Sequence, residues 1–159
     1  MVQRRNTVNK FMKAAVEEAY KGINNGDGGP FGCVIVKDGV IIGRGHNCVI
    51  SGKNPTLHGE MTAIADACKN LDTHDLSGCD IYTTAEPCPM CMGAILWAGI
   101  KAVYYGCNTK DTENIGFRDE VFYKMLRSED MGIVYSECER NDCLELFRAY
   151  SQNPDKKIY

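Results

Sequence analysis

The sequence predicts an α/β protein, a three-layer α/β/α sandwich built on a five-stranded mixed sheet. Two observations lead to this class. An amphipathic helical segment and a β-hairpin open the chain, and after the hairpin strand-like segments alternate with helical ones up to the C-terminus. Such alternation is typical of a sheet covered by helices. The 159 residues, 44% hydrophobic and 25% charged, are expected to form one domain, 1–159.

The first half of the chain carries the strongest local signals. Apolar residues recur at helical spacing from Phe11 to Ile23 and predict an opening helix. Segments 31–37 and 40–45 have strand composition, and Asp38-Gly39 between them is a typical two-residue hairpin turn. The later elements are predicted, in chain order, as a helix at 58–70, a strand at 79–84, a helix at 90–98, a strand at 101–105, a helix at 119–127, a strand at 133–135 and a helix at 139–150.

Composition limits the partners and the compartment. The net charge is −3 and the pI about 5.6, which argues against a nucleic-acid partner, since such proteins usually present a basic surface. No apolar run approaches the roughly 20 residues of a membrane span, and no apolar stretch follows the basic N-terminus, so neither membrane insertion nor a signal peptide is expected. Nine scattered cysteines, among them Cys79 and Cys107 as core residues, indicate free thiols in the cytoplasm.

Four residues in two short clusters point to a metal site. His58 and Glu60 stand two apart in the first cluster, and Cys88 and Cys91 form a C-x-x-C pair in the second. One imidazole and two thiolates make three zinc ligands and leave a fourth position open, as in hydrolytic zinc enzymes. A structural zinc site would fill that position with a fourth protein ligand.

The spacing also predicts how the clusters meet. Cys88 and Cys91 are expected at a helix N-terminus, where the helix dipole favours thiolates. On a regular helix His58 and Glu60 would point roughly 200° apart, so they can face one centre only from the end of their helix. Two helices are therefore expected to point end-on at one zinc ion.

Charge then suggests a mechanism. Zn²⁺ with two thiolates and a neutral imidazole has a net charge of about zero and acidifies water less than an all-histidine site would. Glu60 is the candidate base: it would take a proton from the water and return it to the substrate ring and the leaving group. Attack at an amidine-type ring carbon with loss of ammonia is hydrolytic deamination.

Simpler interpretations exist for each cluster. A lone C-x-x-C is more often structural or redox-active, and a lone histidine at a helix start is usually a cap or a core residue. A thioredoxin-like redox role leaves His58 and Glu60 without a function. His46 and His74 have no comparable neighbours and are expected not to be ligands.

Together these clusters match the H-x-E…P-C-x-x-C signature of zinc deaminases. From about residue 9 to the end, the chain resembles purine deaminases of the cytidine deaminase fold, and among them the bacterial guanine deaminases. The resemblance rests on five motifs: Gly28–Val36, His46-Asn47, Asn54–Glu60, Glu86–Cys91 with Gly93–Ile95, and Gly116–Asp119.

This resemblance implies several further roles. Asn47 would hydrogen-bond the purine, and Phe31 would line the base pocket or stack on the base. Asp119 would carry a second proton near the exocyclic amine, and Gly59 would offer its backbone N–H to the substrate. Tyr159 would close the pocket. Relatives of this kind are homodimers that exchange their C-terminal segment, here about 139–159.

Two positions depart from the family pattern, and several substrates stay open. Gly59 stands where the family usually has alanine, and Arg118 where guanine deaminases usually carry an acidic residue before Asp119. Hydrolysis of guanine to xanthine and ammonia is the leading prediction, with guanosine or an aminated triazine as related substrates. A tRNA adenosine deaminase and a non-catalytic zinc or redox protein are the other hypotheses.

Overall fold

The computed structural model describes residues 9–128 and 131–159, which divide into two compact units on either side of the Lys124–Met125 bond. The first unit contains most of the secondary structure. Its elements are α1 (Lys10–Asn25), β1 (Gly32–Lys37), β2 (Val40–His46), α2 (Gly59–Leu71), β3 (Cys79–Ala85), α3 (Pro89–Trp97), β4 (Ala102–Cys107), α4 (Thr109–Asn114) and the greater part of α5 (Asp119–Arg127). The second unit contains α6 (Arg140–Gln152).

Local sequence explains where the opening elements begin and end. The Asn9 side chain caps α1 by accepting hydrogen bonds from the backbone N–H groups of Phe11 and Met12, at 2.9 and 3.1 Å. In the hairpin, Asp38 and Gly39 both adopt positive φ, 49° and 77°, as the twist of a two-residue turn demands. The predicted helix and hairpin are therefore confirmed.

The sheet is mixed, as predicted. Its strand order is β2-β1-β3-β4, with β1 antiparallel to both β2 and β3, and β3 parallel to β4. Helices cover both faces in the first unit, because alternate residues of a strand point to opposite sides. Val34 and Val36 pack with Ala14 and Ala15 of α1, while Ile35 faces the other way. There it joins a core supplied by α2 and α3, which includes Ala63, Ala67 and Ile95.

The predicted number of strands is wrong: within the described residues the sheet has four strands, not five. Segment 133–135, predicted as the fifth strand, forms no ladder. The exposed fractions of Ile133, Val134 and Tyr135 are 69%, 96% and 85%, so the segment has neither a paired neighbour nor a buried face. Three consecutive apolar residues provide neither a strand to pair with nor a surface to pack against.

Two further differences concern the region around β4. The helix α4 was not predicted; it is short, and a capping box between Asn108 and Asp111 defines its start. Cys107, expected in the core, is exposed, because the last four residues of β4 are all exposed. Cys79 is buried as expected, and the nine cysteines, all of them described, are free thiols.

In the second unit, α6 is amphipathic but has no buried residue. Leu146, Phe147 and Tyr150 lie on it with exposed fractions of 66%, 68% and 46%. The chain end folds back on this helix, since the Tyr150 hydroxyl accepts a hydrogen bond from the Lys157 N–H at 3.0 Å. Over the described part of the chain, no helix has both the length and the apolar character needed to cross a bilayer.

Candidate metal centre and its pocket

The three predicted metal ligands come together at the N-termini of two helices. His58 is the N-cap residue of α2 and Cys88 that of α3, and neither side chain forms a capping hydrogen bond with its own helix. Both are therefore free to face a common centre. Cys88 Sγ lies 3.5 Å from His58 Nδ1, and the ligand atoms of His58, Cys88 and Cys91 all lie within 4.8 Å of one another. Two helices thus point end-on at one centre, as expected.

Cys88 and Cys91 shift each other's pKa in opposite directions. Cys91 donates a hydrogen bond to Cys88, which is the main reason that the pKa of Cys88 falls to about 4 and that of Cys91 rises. The same contact with Cys88 raises the pKa of His58. A metal ion that binds here has to displace the Cys91 proton, since the thiolate is the ligand form.

The donor set fits zinc. One imidazole nitrogen and two sulfurs are ligands that Zn²⁺ prefers, and three protein ligands leave a position for water or substrate. Cys88 and Cys91 are buried, with exposed fractions of 5% and 0%, while His58 is half-buried on the pocket side. The centre is therefore enclosed by protein on the thiol side and open on the other.

Glu60 lies beside this centre. It is the second residue of α2, whereas His58 precedes the helix. The two side chains are therefore not held at the roughly 200° separation that two residues two apart have within a regular helix. Its side chain is buried, and Oε1 accepts a hydrogen bond from Thr83 Oγ1 at 3.1 Å. Burial raises the pKa of Glu60, which makes its carboxylate a stronger proton acceptor than an exposed one.

A pocket of about 440 Å³ opens onto these residues. Its size suits a small heterocycle. The pocket is lined by residues of the first unit: Gly29, Phe31, Asn47, Val49, Ile50, Pro55, His58, Glu60, Ala85, Glu86, Cys88, Phe117, Arg118, Asp119 and Phe122.

Aromatic rings form one wall of the pocket. Phe31 and Phe117 pack edge to face, with ring centroids 4.8 Å apart and an angle of 83° between the rings. Edge-to-face packing holds both rings in place and leaves aromatic surface for a planar base. The sequence predicted Phe31 here but not Phe117, although Phe117 belongs to a motif that carries the family resemblance.

Asn47 is buried at the pocket and held by the backbone around it. Its N–H donates to the Phe31 carbonyl at 2.9 Å, and its side-chain Oδ1 accepts from the Val49 N–H at 3.1 Å. With Oδ1 engaged, the amide NH₂ is the group that can donate to an acceptor on a bound ring.

Asp119 reaches the pocket from the first residue of α5. Burial raises its pKa, and the charge of Cys88 adds to that effect. The Tyr123 hydroxyl donates to the Pro87 carbonyl at 2.6 Å, which ties α5 to the segment just before Cys88. The helix therefore presents Asp119 to the metal side of the pocket.

Gly59 and Tyr159 are the last two predicted site residues. Gly59 is buried at the start of α2 but does not line the pocket; a Cβ there would lie 2.9 Å from the Phe31 carbonyl oxygen. Tyr159 belongs to the second unit, where 78% of its side chain is exposed.

Several neighbours of the metal centre and its pocket escaped prediction. Thr83 sits in the middle of β3, and its inward direction emerges only from the sheet. Glu86 lines the pocket and accepts a hydrogen bond from the Thr109 N–H at 3.0 Å. Arg118, noted as a departure from the family, places its guanidinium 4.9 Å from the centre of the Phe122 ring, and both residues line the pocket.

Comparison with known proteins agrees with this geometry. Residues 5–107 match the model of the cytidine and deoxycytidylate deaminase zinc-binding region. The chain is 45% identical to the guanine deaminase of Bacillus subtilis over 151 residues, 94% of this chain and 97% of that protein. The X-ray structure of guanine deaminase from that species superposes with a TM-score of 0.89 at 44% identity, with the same coverage. The tRNA-specific adenosine deaminase of Aquifex aeolicus is 43% identical over 100 residues, 63% of this chain and 66% of that protein.

Proposed function

The chain belongs to the cytidine and deoxycytidylate deaminase family of zinc-binding proteins, and we propose that within this family it hydrolyses guanine to xanthine and ammonia. Similarity to the guanine deaminase of Bacillus subtilis supports this substrate, because it extends over nearly the full length of both proteins. Similarity to the adenosine deaminase of Aquifex aeolicus covers only about two thirds of each chain.

One observation carries the proposal. His58, Cys88 and the buried carboxylate of Glu60 line a single pocket, and the Cys91 sulfur lies within 4.8 Å of the ligand atoms of His58 and Cys88. A structural zinc site has no use for such a carboxylate at an open coordination position. A hydrolytic site needs one, as the group that moves protons between water and substrate.

The proposed reaction replaces an amino group with oxygen. His58, Cys88 and Cys91 would hold Zn²⁺, which when bound supplies a Lewis acid and lowers the pKa of water. Glu60 accepts one proton from the attacking water and passes it to a ring nitrogen, and it then carries the second proton, from the hydroxyl formed at C2, to the leaving amine. One C–O bond forms at C2 of guanine, the C2–N bond breaks, and ammonia leaves.

The remaining pocket residues position the ring and handle the leaving group. Phe31 and Phe117 confine the base plane, and the Asn47 NH₂ donates to a carbonyl or ring nitrogen of guanine. Asp119 has a raised pKa and so holds a proton more readily than an exposed aspartate. It is suited to share protonation of the departing amine with Glu60.

Glu60→Gln provides the direct test, because it keeps the size and the Thr83 contact of the side chain but removes the base. We expect kcat for ammonia release from guanine to fall by about 10²–10⁴-fold, with zinc content unchanged. Glu113→Gln, at a half-buried glutamate on α4 that pairs with Lys110, is the matched control. Full activity of the Glu60 variant would exclude its role.

Competing substrates are tested in the same assay. Guanosine and aminated triazines would have to fit the same pocket, and a tRNA substrate would be deaminated at adenosine. The similarity to tRNA-specific adenosine deaminases is the reason to include tRNA. Release of ammonia from guanine at a kcat/KM well above those for the other substrates supports the proposal. Stoichiometric zinc without any deamination would favour a non-catalytic zinc or redox protein.

We further propose that the chain forms one deaminase domain with a homodimeric, exchanged C-terminal segment, about 139–159. Each unit leaves large apolar side chains exposed: Leu96 and Trp97 in the first, Leu146 and Phe147 in the second. A second copy of the chain could bury these surfaces and bring Tyr159 to a pocket. Sedimentation would then give a dimer, and Phe147→Glu would give a monomer.

Nine free cysteines favour a reducing compartment such as the cytoplasm.

A further inference from the structure

A second cluster of metal-ligating side chains lies outside the site described above, near the ends of α1 and β2. Asp27 lies two residues after α1, His46 is the last residue of β2, and Cys48 follows two residues later. All three are half-buried, and one ligand atom from each lies within 4.8 Å of the others. A carboxylate oxygen, an imidazole nitrogen and a thiol sulfur are donors that suit zinc and cobalt.

Contrary to the expectation from the sequence for His46, we propose that Asp27, His46 and Cys48 form a second binding site for a divalent transition-metal ion such as Zn²⁺, separate from the His58–Cys88–Cys91 centre. Around a tetrahedral zinc ion the ligand atoms are about 3.3–3.8 Å apart. Small side-chain rotations would bring the three ligand atoms of this cluster to those distances. Asp27 Oδ2 already lies 2.9 Å from His46 Nε2. The ion would take the place of the proton that these two atoms now share.

The surroundings of His46 resemble the outer shell of a metal site. Its other ring nitrogen, Nδ1, lies 3.7 Å from Oε2 of Glu18, a carboxylate with an exposed fraction of only 5%. Histidines that bind metal commonly direct the nitrogen not bound to metal toward a carboxylate, which fixes the ring and strengthens the ligand. Lys21 and Arg44 contact the same carboxylate and hold it in place, at 2.6 and 3.4 Å.

The backbone also holds the ligands together. The Asp27 carbonyl accepts hydrogen bonds from the N–H groups of Ile50 and Ser51, at 3.0 and 3.1 Å. A Cβ at Gly28 would lie 2.0 Å from Asn47 Oδ1, so only glycine allows the turn after α1 to approach this closely. Asp27 is thus anchored to the loop that carries Cys48 rather than reaching toward it from a separate surface.

A metal ion bound at this site would alter the substrate pocket. Asn47 stands between His46 and Cys48, and Ile50, held by the Asp27 carbonyl, lines the pocket wall. An ion that draws His46 and Cys48 together displaces the residue between them. We therefore expect a bound ion to raise the KM for guanine. This consequence rests on the proposed function, whereas the binding of the ion does not.

The test is a titration with Co²⁺ of the full-length protein loaded with one equivalent of Zn²⁺, which leaves the second site free. The catalytic ligands retain zinc, which thiolates prefer to cobalt. We expect one further equivalent of Co²⁺ to bind, with a sulfur-to-cobalt charge-transfer absorption band. Cys48→Ala should lose both the equivalent and the band, and Asp27→Asn should weaken binding at least tenfold. Cys68→Ala removes another half-buried thiol and is the matched control.

Different outcomes test the metal site, its effect on the pocket and the proposed function. Equal Co²⁺ binding by the native protein and Cys48→Ala would overturn the site, and so would a charge-transfer band that survives in Cys48→Ala. With added Zn²⁺, KM for guanine should rise at least threefold in the native protein and stay constant in Cys48→Ala. Binding without that rise would overturn the coupling to the pocket, while absence of any guanine turnover would bear on the proposed function alone.

Discussion

Thr83 Oγ1 donates a hydrogen bond to Glu60 Oε1 at 3.1 Å, and both side chains are buried. The contact joins the middle of the sheet to the first turn of α2. It stabilises the charged form of a carboxylate whose pKa burial raises. Thr83 therefore acts on the reaction only through Glu60, as a positioning residue that also adjusts its basicity.

Replacing Thr83 by valine should move the pH dependence of the reaction. The substitution keeps the shape of the side chain but removes the donor, so the pKa of Glu60 rises further. A base with a higher pKa stays protonated up to a higher pH, and the acid limb of kcat/KM for guanine should shift upward. We expect a shift of about 0.5–1 pH unit, the equivalent of one hydrogen bond.

Thr83→Ser is the control for this prediction, because it retains the hydroxyl. Its acid limb should stay at the native pH even if its stability is lower. A valine variant with a lower kcat but an unshifted limb would show that Thr83 contributes packing alone. Thermal unfolding of both variants separates that packing effect from the change in pKa.

Zinc binding should release protons in an amount that depends on pH. In the metal-free centre Cys88 has a pKa of about 4, so its thiolate is already formed, while Cys91 retains its proton. At pH 8 we expect about one proton per zinc ion, that of Cys91. The pKa of His58 is raised, so its own proton adds to the release as the pH falls toward and below that pKa.

An indicator dye in weakly buffered solution measures this release directly. Mg²⁺, which prefers oxygen ligands, is the control and should release none. A Cys91 thiolate already formed in the metal-free protein would give no release at pH 8, contrary to the prediction. The same titration followed by thermal unfolding should show zinc raising the melting temperature, because the ion binds only the folded site.

Asp119 should matter for catalysis more than for binding. Asp119→Asn keeps the side-chain shape at the start of α5 but cannot carry a proton. If Asp119 shares protonation of the leaving amine, kcat should fall by about 10–100-fold while KM changes little. Glu120→Gln, at the next residue of the same helix turn, is the control. An unchanged kcat together with a raised KM would assign Asp119 to substrate binding.

The sequence could predict the metal centre because its chemistry is local. His58 and Cys88 immediately precede α2 and α3, Cys91 lies in the first turn of α3, which begins with Pro89, and the structure brings the three ligand atoms together. The hairpin was equally predictable, because Asp38 and Gly39 tolerate the positive φ that its turn requires. Such features depend on neighbouring residues rather than on the rest of the chain.

The features that escaped prediction depend on distant partners. The side chain of Thr83 faces Glu60 only because β3 lies in a particular register beside β1. Segment 133–135 has strand composition, yet a strand exists only where a neighbour pairs with it. Phe117 lines the pocket through its contact with Phe31, which is 86 positions earlier in the chain. The sequence close to each of these residues does not predict such contacts, because the partner residues are far away along the chain.

Gly59 offers the sharpest test of how the pocket is held. A Cβ at this position would lie 2.9 Å from the Phe31 carbonyl oxygen, which accepts the Asn47 N–H. The methyl group of alanine would therefore displace the Phe31 carbonyl, and with it the hydrogen bond that connects Phe31 to Asn47. Such a shift costs about 1–3 kcal/mol, so Gly59→Ala should raise the KM for guanine about fivefold or more. Gly93→Ala in α3 meets no atom within 4 Å and should leave KM unchanged. A native KM in Gly59→Ala would mean that the chain can absorb the methyl group without moving Phe31.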